Sequence, residues 1–336
     1  MNKSKVDFDF RGWGGDLMSE QGVNVVKHYR ELAFMGFAEV IANLRTILGN
    51  IKRCKEDILN FKPDFVILVD YPGFNMRIAE FCKKQVIPVV YYISPQVWAW
   101  KKNRVYKLRR DVDLMLTILP FEKDFYKEYS FDVDYVGHPL LDAITPAPEE
   151  GDYLALLPGS RKQEIEKILP VMNEVALKHP EQKFILAQAP SQEEGFYKQI
   201  ISSNNISLSK EGTSKVLNGA RLALVTSGTA TLETALYNVP QVVCYKGNRL
   251  SYQIAKRIVD IKYISLVNLI MDREVVKELI QDDLNVENLN NEMLKIMPGQ
   301  IKRSSMMREY KGLKEILGGS GASDRASQRI LEFFQL

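Results

Sequence analysis

The chain has 336 residues, enough for two domains, and its 46% hydrophobic and 26% charged residues are typical of a globular protein. The net charge of +3 is too small to suggest a general nucleic-acid-binding protein. Three scattered cysteines favour reduced thiols, and with only three histidines a structural zinc site is not expected. No apolar run approaches the roughly 18 residues that cross a bilayer.

Short apolar runs alternate with helical segments along the first part of the chain. Continuous rather than alternating apolar runs are typical of strands buried on both faces of a parallel sheet. The predicted elements are, in order, a strand at Phe65–Val69, a helix near Asn75–Lys84, a strand at Pro88–Ile93, a basic helix, and a strand at Leu114–Leu119. This alternation predicts an α/β architecture.

A second alternating series follows a predicted linker at Asp142–Asp152, where two prolines, a glycine and four acidic residues cluster. It comprises strands at Tyr153–Leu157, Lys183–Ala187, Leu222–Val225 and Gln241–Tyr245, and helices at Lys162–Lys178 and Ala230–Asn238. The final third is mostly helical, and a last amphipathic helix at Ser323–Phe334 follows the glycine-rich run Gly318–Gly321. We predict two Rossmann-like domains.

Polar, glycine-containing stretches follow two strands of the second series. One is PGSR (Pro158–Arg161), and the other opens TSGTATLE (Thr226–Glu233). Ligands of open α/β sheets bind beyond the carboxyl ends of strands, and a helix N-terminus offers free N–H groups to an anion. Ser and Thr at a helix start are more often simple caps. Two such loops in one domain favour a nucleotide diphosphate, with Arg161 on a phosphate and Glu233 on a ribose.

A carboxylate lies at the end of a strand in the first series. The stretch ILVDYPGFN (Ile67–Asn75) places Asp70 where the strand gives way to a turn. A carboxylate in this position is suited to act as a general base. An aspartate before Tyr-Pro-Gly is also an ordinary turn former. The residues alone leave both interpretations open.

Two of the three tryptophans, Trp98 and Trp100, directly precede the basic segment Lys101–Arg110. Indole rings beside cations are typical of a surface that meets anionic lipid. Packing of both rings in the core, with the basic helix as a solvated face, is an equally good interpretation.

Together these stretches resemble the lipid-A-disaccharide synthase family. The resemblance rests on ILVDYPGFN, YISPQVWAW, ILPFE, VGHP, LLPGSRKQEI, TSGTATLE, and SLVNLI followed by ELIQ, from about Arg11 to the C-terminus. It implies an α/β fold of GT-B type, with two Rossmann-like domains facing across a cleft and a C-terminal helix that returns to the first domain. We expect an acceptor- and lipid-side domain at 1–145, completed by 322–336, and a UDP-sugar-binding domain at 146–321.

The resemblance also implies an activity. The family condenses UDP-2,3-diacylglucosamine with 2,3-diacylglucosamine 1-phosphate (lipid X) by inverting glycosyl transfer and releases UDP. Asp70 is the implied catalytic residue, and TSGTATLE is expected to hold UDP and to cap its own helix. No metal ion or other cofactor is implied. The implied UDP-sugar-binding residues are Ser160, Arg161, Ser227, Gly228, Thr229, Glu233 and Asn268.

The acylated substrates imply a cytoplasmic enzyme bound peripherally to the inner face of the inner membrane, with no nucleic-acid partner. The expected contact with anionic lipid, or acceptor surface, comprises Trp98, Trp100, Lys101, Lys102 and Arg104. The oligomeric state is left open.

The opening of the chain departs from the family pattern. Family members ordinarily begin with a strand and a loop of the Gly-Glu-x-Ser-Gly-Asp type, whereas Met1–Met18 resembles the second strand and the loop after it. We therefore expect a first domain without that first strand, and a sheet with an exposed edge or a gap. Two alternatives to the glycosyltransferase are a UDP-sugar 2-epimerase and a truncated, non-catalytic chain that binds UDP or lipid.

Overall fold

In the computed structural model the described residues are 6–31, 44–147, 151–249, 252–253 and 261–336. Chain contacts divide them into two compact units. The first unit contains the described residues up to Ile118, together with Glu122–Val136 and Ser323–Leu336, and the second contains Leu119–Phe121 and the described part of Gly137–Ala322. Positions 148–150 of the predicted linker lie outside the described residues.

Parallel strands form two sheets in the first unit. A two-stranded sheet pairs β1 (Arg11–Gly14) with β2 (Asn24–His28). A four-stranded sheet has the order β3-β4-β5-β6, and β3 is at its edge with Val69 49% exposed. The strands of this second sheet are β3 (Val66–Val69), β4 (Val89–Tyr92), β5 (Leu114–Thr117) and β6 (Asp134–Tyr135).

Helices cover this four-stranded sheet and bury its apolar side chains. Ile78, Leu108 and Tyr126 each come from a different helix and share one core with Tyr91 and Met115 of the strands. This packing explains the continuous apolar runs of β4 and β5, because both faces of these two central strands are buried. The helices of the first unit, up to residue 127, are α1 (Asp16–Glu20), α2 (Leu44–Phe61), α3 (Pro72–Lys84), α4 (Val105–Asp111) and α5 (Glu122–Lys127).

The second unit is built on a parallel six-stranded sheet of order β12-β11-β10-β7-β8-β9. Its strands are β7 (Tyr153–Leu157), β8 (Lys183–Ala187), β9 (Ile206–Ser209), β10 (Leu222–Thr226), β11 (Gln241–Tyr245) and β12 (Lys277–Ile280). Its helices are α6 (Leu140–Ala143), α7 (Lys162–Leu177), α8 (Glu194–Lys198), α9 (Thr213–Leu217), α10 (Thr229–Leu236), α11 (Leu266–Met271), α12 (Val286–Lys295) and α13 (Ile301–Ile316). The predicted α/β architecture with parallel sheets is confirmed.

The last helix, α14 (Ala322–Phe334), belongs to the first unit from Ser323 onward, as predicted. Ala326 and Ile330 join a small core with residues of β4 and β5, and the Phe334 ring stacks on Phe65 with centroids 4.2 Å apart. The carboxylate of Asp142 accepts hydrogen bonds from the first N–H groups of the helix region. Positive φ angles in the preceding glycine run allow the sharp turn.

Candidate functional site

The carboxyl ends of two neighbouring strands lie side by side in the second unit. β7 and β10 are hydrogen-bonded to each other, and Leu157 pairs with Val225 close to both strand ends. From this pair the sheet extends through β8 and β9 on one side and through β11 and β12 on the other. The chain therefore leaves β7 and β10 at a topological switch point, where open parallel sheets bind ligands. The loops 158–161 and 227–228 both begin here.

The helices after these loops begin without a side-chain cap. Arg161 is the N-cap residue of α7 and Gly228 that of α10, and neither helix start is capped by a described side chain. The prediction that TSGTATLE caps its own helix is wrong, because the Ser227 hydroxyl donates to the Ile264 carbonyl oxygen at 2.9 Å instead. The two helix starts thus offer N–H groups and the positive ends of their dipoles to an anion.

Both loops contain a glycine with a backbone that a side chain would strain. The φ angle is +120° at Gly159 and +143° at Gly228, values that L-residues rarely adopt. A Cβ atom on Gly159 would also come within 2.8 Å of the Glu164 carboxylate, whereas one on Gly228 would meet no described atom within 4 Å. The absence of a side chain at these two points allows close approach to the backbone.

Arg161 adds a cation to the start of α7. Its Nη1 donates to Glu164 Oε1 at 2.7 Å, and its side chain is 63% exposed. Ser160 is exposed too, and its carbonyl oxygen accepts a hydrogen bond from Ser191 Oγ at 3.2 Å. The ion pair orients the guanidinium and leaves most of it accessible to a phosphate.

Glu233 and Asn268 differ in access. Glu233 is half-buried in α10, and its Oε1 accepts a hydrogen bond from Ser214 Oγ at 2.7 Å. Asn268 is fully buried in α11, so its side chain does not reach the surface. Sequence reasoning missed Ser214, because only the fold brings α9 to α10.

Asp70 lies at the carboxyl end of β3 in the first unit. Its N–H donates to the Tyr92 carbonyl oxygen at 3.0 Å, which extends the ladder to β4 by one residue. The φ angles of Asp70 and Tyr71 are +46° and +45°, in the left-handed region that residues other than glycine rarely occupy. The chain turns sharply here and leaves Asp70 exposed.

Two side chains fix this turn. The Asp70 carbonyl oxygen accepts hydrogen bonds from the Tyr91 hydroxyl at 2.6 Å and from Asn75 Nδ2 at 2.7 Å. Asn75 Nδ2 also donates to the Val69 carbonyl oxygen at 2.9 Å. Tyr91 is fully buried, so one anchor of the turn is part of the core. In the sequence Asn75 is marked only by its place in ILVDYPGFN, and Tyr91 reads as an ordinary strand residue.

The surroundings of Asp70 alter its acid–base behaviour. Partial exclusion of water raises the pKa of its carboxyl above the ordinary value, and a hydrogen bond from the Tyr71 backbone lowers it by less. A raised pKa makes the carboxylate a stronger base, which suits a group that takes a proton from a hydroxyl.

Comparisons with known proteins identify the family to which the chain belongs. The model of the family described as lipid-A-disaccharide synthetase matches residues 1–329. The chain belongs to this family. The lipid-A-disaccharide synthase of Syntrophus aciditrophicus is 38% identical over 98% of this chain and 91% of that protein. That of Acidobacterium capsulatum is 36% identical over 98% of this chain and 90% of that protein. The resemblance seen in the sequence is confirmed.

Solved structures of low sequence identity share the fold. A UDP-GlcNAc 2-epimerase from Neisseria meningitidis bound to UDP-GlcNAc matches with a TM-score of 0.63 at 13% identity, over 94% of this chain and 88% of that one. The calicheamicin glycosyltransferase CalG4 matches with a TM-score of 0.60 at 16% identity, over 95% and 88%. These likenesses support the predicted GT-B type of fold and say nothing about the reaction.

The tryptophans of this member of the lipid-A-disaccharide synthetase family have different environments. The prediction of a surface position is wrong for Trp98, which is 8% exposed and donates from Nε1 to Glu122 Oε1 at 3.3 Å. The buried carboxylate satisfies the indole N–H, so the ring packs in the core. Trp100 is 44% exposed, with Lys101 Nζ 4.2 Å and Arg104 Cζ 5.5 Å from its ring centroid.

Within the part of the chain that the structure describes, no helix has both the length and the hydropathy needed to cross a membrane. The same residues contain no group of three or more His, Cys, Asp or Glu side chains placed to hold a metal ion.

Proposed function

We propose that this chain is the inverting glycosyltransferase that condenses UDP-2,3-diacylglucosamine with lipid X, giving lipid A disaccharide 1-phosphate and UDP. Family membership and the names of the relatives support this reaction. The observation that carries the nucleotide part is the pair of uncapped helix starts beside Arg161 at the switch point of the second unit.

In this proposal the second unit binds the UDP-sugar. The N–H groups at the starts of α7 and α10 donate to the diphosphate, together with the Arg161 guanidinium. The hydroxyls of Ser160, Ser227 and Thr229 border the same loops, and Glu233 accepts hydrogen bonds from the ribose hydroxyls. Fixed dipoles and one cation then stabilise the negative charge that develops on UDP as it leaves.

The first unit binds the lipid acceptor and supplies the base. Asp70 takes the proton of an acceptor sugar hydroxyl while the hydroxyl oxygen attacks the anomeric carbon from the face opposite UDP. The new carbon–oxygen bond forms as the bond from the anomeric carbon to the phosphate oxygen breaks. The electron pair of the broken bond stays on the phosphate oxygen and leaves with UDP. This single displacement inverts the anomeric configuration.

An Asp70→Asn variant tests this role. Asparagine keeps the size of the side chain and tolerates the left-handed backbone, but it cannot take the proton. We expect kcat to fall by about 10²–10⁴-fold, while the Kd for UDP, measured by titration calorimetry, stays within about twofold. The matched control is Asp64→Asn, an exposed aspartate just before β3, which should retain full turnover.

The outcomes separate the alternatives. Substantial turnover by Asp70→Asn would remove Asp70 from the mechanism. A wild-type chain that binds UDP but does not turn over the two lipid substrates would instead support a non-catalytic UDP-binding chain. Formation of an epimer from UDP-N-acetylglucosamine alone would support the epimerase.

We also infer a peripheral contact with the cytoplasmic face of the inner membrane. Trp100 with Lys101, Lys102 and Arg104 forms its centre, and Tyr106 of α4, 60% exposed, continues the surface. Each cation near an anionic surface contributes about 1 kcal/mol and is screened beyond a Debye length. Several cations together therefore predict association that depends on salt.

Vesicle sedimentation tests this contact. The protein should co-sediment with anionic but not with zwitterionic vesicles, and moderate salt should release it. Replacing Lys101, Lys102 and Arg104 by Ser should weaken sedimentation and leave the Kd for UDP unchanged. The charge-matched control replaces three exposed lysines of the second unit and should sediment like the wild type: Lys178, Lys215 and Lys311. Equal binding to both vesicle types would contradict the proposal.

A further inference from the structure

A single carboxylate in β12 collects hydrogen bonds from one short segment of the second unit. Glu278 Oε1 accepts from Ser265 Oγ at 2.7 Å, from the Ser265 N–H at 2.9 Å and from Asn268 Nδ2 at 2.9 Å. Its Oε2 accepts from the Ile264 N–H at 3.0 Å. All of these partners are donors, so the site is matched to a carboxylate and not to an amide.

The segment held by Glu278 also holds the predicted UDP loop. The Ile264 carbonyl oxygen accepts the hydrogen bond of the Ser227 hydroxyl. Glu278 is thus connected to Ser227 through Ile264, whose N–H donates to the Glu278 carboxylate and whose carbonyl oxygen accepts from the Ser227 hydroxyl. Because this contact engages the Ser227 hydroxyl, that hydroxyl does not cap α10, and the helix start stays open.

Asn268 is the second arm of the same network. Its Oδ1 accepts from the N–H groups of Val275 and Val276 at 2.8 and 3.0 Å, and its Nδ2 donates to the Val276 carbonyl oxygen at 2.9 Å as well as to Glu278. Both donors and both acceptor positions of the amide are therefore engaged. A fully buried side chain with no hydrogen-bonding capacity left orders the protein around it and does not contact a ligand.

We propose that Glu278 is a positioning residue for UDP binding. Through Ile264, Ser265 and Asn268 it fixes the acceptor of the Ser227 hydroxyl, and this holds the 227–229 loop in the conformation that presents its N–H groups to a diphosphate. The inference rests on the proposed function and adds a residue that does not itself touch the nucleotide.

A Glu278→Gln variant tests the inference with UDP as the probe. The amide of glutamine would direct donor hydrogens at the Ile264 or the Ser265 group, so the segment should shift. We expect the Kd for UDP, measured by titration calorimetry on folded protein, to rise about tenfold. The matched control is Glu274→Gln, an exposed glutamate with Lys277 Nζ at 3.1 Å, which should bind UDP like the wild type.

A double-mutant cycle with Ser227→Ala separates positioning from general stability. If Glu278 acts through Ser227, adding Glu278→Gln to Ser227→Ala should raise the Kd by clearly less than tenfold. Additive effects, or a lower melting temperature with an unchanged Kd, would overturn the inference. Should Glu278→Gln fail to fold, Ser265→Ala removes one hydrogen bond of the same carboxylate and should raise the Kd about threefold, and an unchanged Kd there would also overturn it.

The titration of the wild type with UDP distinguishes failure of the proposed function from failure of the inference about Glu278. A wild-type chain that does not bind UDP would refute the proposed function and this inference together. UDP binding by the wild type that Glu278→Gln leaves intact would refute the inference alone.

Discussion

The two strand ends that carry the proposed chemistry reach uncommon backbone conformations by different means. In the second unit the positive φ angles belong to Gly159 and Gly228, which adopt them at little cost. In the first unit Asp70 and Tyr71 adopt them although both carry side chains. The difference follows from what each loop presents. A loop that offers N–H groups to a phosphate can use glycine, whereas a loop that offers a carboxylate needs other contacts to hold its backbone.

Gly228→Ala tests most strongly whether the loops at the strand ends of the second unit need glycine. A Cβ at this position meets no described atom within 4 Å, so the substitution adds backbone strain without a clash. Strain of this kind costs about 1–3 kcal/mol, and we expect the loop to relax and the Kd for UDP to rise about tenfold or more. Calorimetric titration with UDP measures the effect.

Gly195→Ala is the matched control for this substitution. Gly195 in α8 also has open space around its Cα, but its φ angle is not positive. Wild-type affinity is expected there. The same affinity in Gly228→Ala would mean that the observed loop conformation is not the one that binds UDP.

The hydrogen bonds that hold the Asp70 turn predict a smaller effect for Tyr91→Phe than the one expected for Gly228→Ala. The variant removes the 2.6 Å hydrogen bond to the Asp70 carbonyl oxygen and keeps the ring in the core. We expect a stability loss of about 1 kcal/mol and a kcat roughly fivefold lower, since Asn75 still holds the turn. The Kd for UDP should not change, because the second unit is untouched.

Tyr126→Phe separates misplacement of Asp70 from a general loss of stability. Tyr126 is equally buried in the same core, but its hydroxyl bonds Ser94 Oγ at 2.7 Å. This variant should lose similar stability and keep the kcat of the wild type. An equal loss of kcat in both variants would show that Tyr91 has no special connection to Asp70.

Elements buried on both faces are the part of the fold that sequence predicts well. The apolar runs at Pro88–Ile93 and Leu222–Val225 fall within one residue of the central strands β4 and β10 at each end. The sequence does not predict β9 and β12, because they form the edges of their sheet. Polar residues such as Ser207 and Glu278 interrupt the apolar pattern there.

The residues of the candidate site also divide into those that the sequence marks and those that it does not. Loops at strand ends are visible in the sequence, because glycine and hydroxyl residues mark them. Partners that only the fold supplies are invisible, as Ser214, Tyr91 and Glu278 illustrate, each 19 to 51 positions from the residue it serves. The same holds for Trp98, which the sequence predicts at the surface, because the buried partner of its indole N–H is Glu122 of α5.

The smallest expected effect concerns the stability cost of a carboxylate held at a turn. The pKa of Asp70 is raised in the folded protein by partial exclusion of water. A raised folded pKa contributes stability below the ordinary carboxyl pKa of about 3.9, and this contribution is lost as the pH rises through the folded value. At neutral pH the ionised Asp70 therefore destabilises the folded state slightly. Asparagine carries no charge and tolerates the left-handed backbone better than most residues.

Asp70→Asn should therefore melt at the same temperature as the wild type or slightly above it at pH 7.5. The advantage should shrink at about pH 3, which lies below the ordinary carboxyl pKa of about 3.9, because Asp70 is then mostly protonated in both states. Scanning calorimetry at the two pH values measures this, with Asp64→Asn as the control for the change of side chain. The same raised pKa shifts the acid limb of kcat/KM upward from the ordinary carboxyl pKa, because the base must be ionised to act. A clearly lower melting temperature of Asp70→Asn at pH 7.5 would mean that the carboxylate stabilises its turn, and the contrast between the two strand ends would then lie in the anchors alone.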